Sequence, residues 1–183
     1  MIEIRWHGRG GQGAVTAAEL LAHAAITQGW YAQASPSFGP ERRGAPVVAF
    51  NRLDKEPIAV RSEVYEPDVV IVIDPRLFKT VNVLQGLKNG GAVIINTRKS
   101  LNELRGELGV SCKLAVIDAM KIARETLGVP IVNTTMLGAA VRVIGMVDLH
   151  YVVEAVKERF GGKAGELNAK AVIRGFNEVV IGE

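Results

Sequence analysis

The sequence predicts an α/β protein, a mostly parallel sheet enclosed between helical layers. Three stretches predict it. Val69-Val70-Ile71-Val72-Ile73-Asp74 is apolar at every position before its closing Asp, as a strand covered on both faces must be. Ala92–Asn96 has the same character. Ile2–His7 alternates branched or aromatic with polar residues, then passes into the glycine cluster Gly8–Gly13 and a helical pattern from Ala14 to Thr27. These three strands are expected at the centre of the sheet. The fold class is therefore three-layer α/β/α, Rossmann-like and mostly parallel, with room for one antiparallel hairpin.

The remaining elements follow in order. Trp30–Ala34 reads as a second strand. The next segment, Ser35 to Pro46, holds three prolines and two glycines and reads as a loop. Val47–Asn51 and Ile58–Arg61 flank a turn at Asp54–Pro57 and read as the hairpin. Leu77–Leu87 has helical spacing and ends at Asn89-Gly90-Gly91. A polar loop is expected after Asn96, then a strand over Leu114–Asp118 and a helix over Ala119–Leu127. Asn133–Met146, Leu149–Phe160 and Lys163–Val180 read as three further helices. The whole, residues 1–183, is expected to form a single domain.

Composition narrows the function. Apolar residues make up 48% of the 183, charged residues 22% and aromatics 5%, so Val, Ile, Leu and Ala must fill the core. A net charge of +3 without a basic tail gives no footprint for nucleic acid. No apolar run approaches the ~20 residues of a membrane-spanning helix, and the N-terminus opens as a strand, so a cytoplasmic protein with no membrane contact is expected. Cys112 is the sole cysteine, and His7, His23 and His150 are far apart. One thiol cannot hold an iron–sulfur cluster or structural zinc, so no metal site is expected.

Two stretches point to binding chemistry. Gly8-Arg9-Gly10-Gly11-Gln12-Gly13 satisfies G-x-G-x-x-G between a strand and a helix. Such a turn lets a ligand approach the backbone, and the helix start offers unpaired N–H groups to phosphate or carboxylate. A dinucleotide site would also want a carboxylate about 20 residues on, but Trp30-Tyr31-Ala32-Gln33-Ala34-Ser35 has none. An NADP site could enlist Arg42 or Arg43. Alternatively, the glycines serve only close helix–strand packing. The second stretch is Phe38-Gly39-Pro40-Glu41-Arg42-Arg43-Gly44-Ala45-Pro46. Its paired arginines suit a phosphate or carboxylate, a solvated loop with an ion pair to Glu41, or a partner chain anchored by Arg and Phe. All three readings stay open on residues alone.

Together, Gly8–Gly13, Ser37-Phe38-Gly39-Pro40-Glu41-Arg42-Arg43-Gly44 and Asn133-Thr134-Thr135-Met136-Leu137-Gly138-Ala139 resemble the gamma subunit of 2-oxoacid:ferredoxin oxidoreductases, most closely the pyruvate enzyme. The likeness covers nearly the whole chain, which in single-chain forms of the enzyme corresponds to an internal domain. The resemblance implies a gamma subunit working with alpha, beta and delta types and, through the complex, with ferredoxin. The complex would oxidatively decarboxylate a 2-oxoacid to acyl-CoA, carbon dioxide and reduced ferredoxin. Thiamine diphosphate and iron–sulfur clusters would sit on the partner subunits, with no cofactor held by this chain alone. Coenzyme A, a substrate of the complex, is the ligand implied for Gly8, Arg9, Gly10, Gly11, Gln12, Gly13, Arg42 and Arg43; no catalytic residue is implied here. Two other readings remain: a stand-alone NADP- or nucleotide-binding module, and a purely structural assembly subunit. On the subunit reading, the isolated chain given pyruvate, coenzyme A, thiamine diphosphate and ferredoxin should show no turnover; measurable ferredoxin reduction would refute it.

Overall fold

The computed structural model describes residues 1–37 and 42–183. Phe38 and Glu41, singled out above, lie outside the described residues. Among the described residues seven strands form one sheet: β1 (Ile2–Arg9), β2 (Tyr31–Pro36), β3 (Pro46–Asp54), β4 (Val69–Val72), β5 (Ala92–Asn96), β6 (Lys113–Ile117) and β7 (Val180–Gly182). Their order is β2-β3-β1-β4-β5-β6-β7. The block β1-β4-β5-β6 is parallel, while β3 and β7 run antiparallel to their neighbours. The three strands expected at the centre, β1, β4 and β5, are there.

Among the described residues six helices cover the sheet: α1 (Ala14–Gln28), α2 (Leu101–Leu108), α3 (Ala119–Leu127), α4 (Asn133–Ile144), α5 (Leu149–Phe160) and α6 (Gly162–Glu178). No helix among the described residues is long and apolar enough to cross a membrane. Alternation along the strands divides the core in two. Ile4, Trp6, Ile71, Ile73, Ile94 and Ile117 face α1 and the helices packed with it. Val70, Val72, Val93, Ile95, Leu114 and Val116 face a thinner layer containing α2 and a 3-10 helix over Pro75–Lys79.

Four expectations need correction. The hairpin lies between β2 and β3, whereas Ile58–Arg61 forms no strand. β3 is hydrogen-bonded on one side by β1 and on the other by β2, which leaves no free edge for a strand at 58–61. That segment is pinned by side chains instead: Gln33 Nε2 donates to the Ile58 carbonyl, and Arg52 donates to the Ser62 and Glu63 carbonyls. The helix expected over Leu77–Leu87 is only the 3-10 helix followed by turns. Here a buried guanidinium outweighs helical spacing, because Arg5 Nη2 donates to the carbonyls of Val83 (3.0 Å) and Gln85 (2.6 Å). The polar loop after Asn96 contains α2. Its start is a capping box, in which Ser100 Oγ accepts from Glu103 N and Glu103 Oε2 accepts from Ser100 N. Finally, the last helix ends at Glu178, and β7 adds to the edge of the sheet beside β6.

Arg5 also donates its Nε proton to His7 Nε2 at 2.9 Å, and both side chains are buried. Burial, with the Arg5 charge beside it, pushes the His7 pKa down to about 3. The neutral imidazole is thus the acceptor that completes the clamp on residues 83–85. Folding is favoured by the neutral form: this contribution is complete above the unfolded value near 6.5, and it is lost as pH falls from there toward 3. The full span is on the order of 5 kcal/mol. Denaturant titrations from pH 7 to 4 should show His7→Gln losing less stability across that range than the parent, since glutamine can accept from Arg5 but cannot titrate. Parallel pH profiles would mean that His7 does not drive acid unfolding.

Candidate functional site

The parallel block fixes where a ligand can sit. β1, β4, β5 and β6 all end on one edge of the sheet, and there β2 also ends and β3 begins. In such sheets the crevice beyond the carboxyl ends is the natural site. A cleft of about 560 Å³ lies there, lined by Gly11 and Gln12 after β1, Ile73 to Arg76 after β4, Asn96 to Lys99 after β5 and Asp118 after β6. Met120 and Pro130 to Val132 add an apolar wall.

The edge is held together by strand-end side chains. Asp74 is 3% exposed. Its Oδ1 accepts from Arg76 Nε (2.9 Å) and Arg76 N (3.0 Å), and its Oδ2 accepts from Arg76 Nη2 (2.6 Å) and Gln12 Nε2 (3.0 Å). Arg9 Nε lies 3.2 Å from the same Oδ2. The Arg76 hydrogen bonds above all, with Gln12 assisting, hold the Asp74 pKa down to about 2. Gln12 completes a loop by accepting from Arg9 N at 2.7 Å. Asn96 does a similar task between β4 and α3: its Nδ2 donates to the Ile73 carbonyl and its Oδ1 accepts from Ala119 N.

The glycine turn and the arginine pair are brought together. Gly10 N donates to the Ala45 carbonyl (2.8 Å), Gly44 N donates to the Gly10 carbonyl (3.1 Å), and Gly10 and Arg43 form a parallel bridge. Arg9 Nη1 adds a bond to the Gly44 carbonyl. Arg42 and Arg43 are exposed, and neither guanidinium has a hydrogen-bond or ion-pair partner among the described residues. Their side chains do not line the cleft; Gly11 and Gln12 do.

The glycines have different reasons. At Gly8 a methyl would meet Gln12, Ala14 and Ile73 at ordinary contact distances, so no steric demand acts there. At Gly10 a methyl would collide with the Arg42 carbonyl oxygen. Gly13 has φ +79° and a methyl there would strike Asn133 Nδ2. Asn133, the first residue of α4, donates to the Gly13 carbonyl at 3.4 Å, while its buried Oδ1 has no partner among the described residues. The packing role entertained for the glycines is thus present at two of them.

Sequence reasoning missed Asp74, Arg76 and Asn96 as organisers of this edge. The Asp74-Pro75 pair carried a signal, an N-cap with proline at the first helical position. Nothing local marks Asn96, whose partners are 23 residues away in each direction. Among the described residues no group of three or more His, Cys, Asp or Glu could hold a metal ion. Burial pushes the Cys112 thiol up, so its thiolate is disfavoured. These residues do not fit an iron–sulfur cluster.

Gly13→Ala should cost about 3 kcal/mol, combining left-handed backbone strain with the Asn133 collision, whereas Gly11→Ala, at φ +90° with open space around it, should cost about 1. Adding Asn133→Ala to Gly13→Ala should recover most of the difference in a double-mutant cycle read by denaturant melts. Additive effects would show that the two residues do not constrain each other.

A family model described as pyruvate ferredoxin/flavodoxin oxidoreductase matches residues 3–178. The pyruvate/ketoisovalerate oxidoreductases common subunit gamma of Thermococcus kodakarensis is 56% identical over 184 residues, with 100% of both chains covered. Pyruvate synthase subunit PorC of Methanocaldococcus jannaschii is 53% identical over 180 residues, with 98% of each covered. The crystal structure of pyruvate oxidoreductase subunit PORC from Thermotoga maritima aligns with a TM-score of 0.88 at 40% identity, covering 100% of this chain and 98% of that one. A 2-oxoglutarate:ferredoxin oxidoreductase from Magnetococcus marinus, solved with 2-oxoglutarate, coenzyme A and succinyl-CoA bound, shares the fold at 17% identity and a TM-score of 0.71, over 95% of this chain and 30% of that one. With the family model spanning nearly every residue and near-full-length gamma-type relatives above 50% identity, the chain belongs to the pyruvate ferredoxin/flavodoxin oxidoreductase family, as a gamma subunit of a multi-subunit oxidoreductase.

Proposed function

We propose that the chain serves the pyruvate enzyme, working as one cytoplasmic domain of 183 residues, and that its part is to bind the acyl acceptor, coenzyme A, and to support assembly. Thiamine diphosphate and the iron–sulfur clusters belong to the alpha, beta and delta partners, which perform decarboxylation and electron transfer to ferredoxin. This chain's residues bind and orient. Gly10 to Gly13 bring the start of α1, with its unpaired N–H groups, to the carboxyl edge, where a pyrophosphate is a fitting guest. Arg42 and Arg43 supply charge beside it.

The observation that carries this reading is the backbone bridge between Gly10 and Arg43. It sets two cationic side chains, both without a partner among the described residues, next to a glycine turn that opens a helix. The bridge also favours a second reading, in which Gly10 exists only to seat the 42–45 turn against β1 and the arginines face a partner subunit.

Kinetics separate the two. In the assembled oxidoreductase, Arg42→Ala or Arg43→Ala should raise the KM for coenzyme A about tenfold, since a charged hydrogen bond contributes roughly 1.5–3 kcal/mol. Gly10→Val should raise it by displacing the turn. Pyruvate decarboxylation, assayed without the acyl acceptor, should change far less. An unchanged KM in all three variants, with assembly intact, would make these residues architectural.

A further inference from the structure

The cleft at the carboxyl edge extends away from the Arg42/Arg43 turn. That turn joins β1 from the β3 side, whereas the cleft spans the ends of β1, β4, β5 and β6. Gly11 and Gln12 border it, so a ligand whose anion rests on the glycine turn can continue into it without a break. Its far part combines two chemistries. Arg98 and Lys99 are adjacent on the loop after β5, while Met120, Ile131 and Val132 form an apolar wall, with Ile131 50% exposed.

The cations here are not equally available. Arg76 is held by three hydrogen bonds to nearly buried Asp74. Arg98 is 75% exposed and lies 3.6 Å from Asp118, a loose pair. Lys99 meets Glu107 at 2.6 Å, but both side chains are about half exposed. Exposed pairs of this kind hold weakly, so a phosphate dianion can draw both cations from their carboxylates. Asp118 and Thr97, also in the lining, suit the one free ribose hydroxyl, at the 2′ position.

Resting on the coenzyme A reading above, we propose that this cleft takes the 3′-phosphoadenosine end of the acyl acceptor. The 3′-phosphate lies on Arg98 and Lys99, the adenine packs against Met120 and Ile131, and the pyrophosphate reaches back to the glycine turn. A volume of about 560 Å³ lies within the usual range for a small-ligand site. The two anionic centres of coenzyme A thus meet two separate cationic places, joined by Gly11 and Gln12.

The test is discrimination between coenzyme A and 3′-dephospho-coenzyme A in the assembled oxidoreductase. The parent should prefer coenzyme A. The Arg98→Ala/Lys99→Ala double variant should raise the KM for coenzyme A about tenfold and that for the dephospho form less than twofold, so that the preference disappears. Both residues are exposed, so folding should survive, and Lys99→Ala alone should give a smaller shift in the same direction. If the double variant leaves the preference intact, or raises both KM values equally, the assignment of the 3′-phosphate falls. If Arg42→Ala, Arg43→Ala and Gly10→Val still raise the KM for coenzyme A in that case, only this assignment has failed. If they too change nothing, the underlying coenzyme A reading has failed as well.

Discussion

The carboxyl edge depends on one buried carboxylate. Asp74 ends the most apolar strand of the sheet and would be costly there without compensation. It is compensated by two guanidiniums and an amide, from Arg9, Arg76 and Gln12. Each belongs to a loop that must be placed: Arg9 and Gln12 to the glycine turn, Arg76 to the cleft. Because Gln12 also accepts from Arg9 N, the turn closes on itself while it is tied to β4. Arg9 reaches on to the Gly44 carbonyl and so carries the constraint to the 42–45 turn. One acidic side chain thereby orders three segments far apart in sequence.

On the opposite layer Arg5 plays a comparable part with the charges reversed. Its guanidinium is buried and takes backbone carbonyls of residues 83 and 85 and a neutral histidine as acceptors, with no carboxylate among them. That choice replaces a helix with turns. A helix over the same residues would have given the Val83 carbonyl to the Leu87 N–H, taking one acceptor from the buried guanidinium. The satisfaction of one buried cation therefore outranks local helical propensity.

This also marks what the sequence could disclose. Strands β4 and β5 were legible because being covered on both faces leaves a continuous apolar run, and β1 because branched or aromatic residues alternate with polar ones before the glycine turn. The helices α1 and α3 were legible because spacing and a closing glycine, Gly29 and Gly128, agreed. The hairpin was misplaced because pairing partners are a tertiary matter: β3 reads as a strand, but nothing in Ile58–Arg61 reveals that β2 already occupies its free edge. The capping box at Ser100 and Glu103 was present and passed over. At the site, the glycine turn and arginine pair stand out as motifs, whereas Asp74 and Asn96 look like ordinary strand ends. Their partners come from other strands, and only the fold assembles them.

The cationic residues of this edge fall into two kinds, and the difference bears on what the edge is for. Arg9 and Arg76 are taken up by Asp74, so their charge sets shape. In the 42–45 turn, by contrast, Gly10 and its neighbours satisfy one another through backbone bonds, which requires nothing of the arginine side chains. A turn that existed only to seal the sheet edge would gain nothing from two adjacent guanidiniums held at solvent, since each adds self-repulsion and rotamer freedom to be lost. Arg98 and Lys99 after β5 differ again: both stand at solvent but are paired, Arg98 with Asp118 at 3.6 Å and Lys99 with both oxygens of Glu107. Spending one set of charges on rigidity and leaving another at the surface is the arrangement a rigid receptor for a polyanion needs: the shape is fixed before binding, and the charge of Arg42 and Arg43 is not already committed to a partner among the described residues.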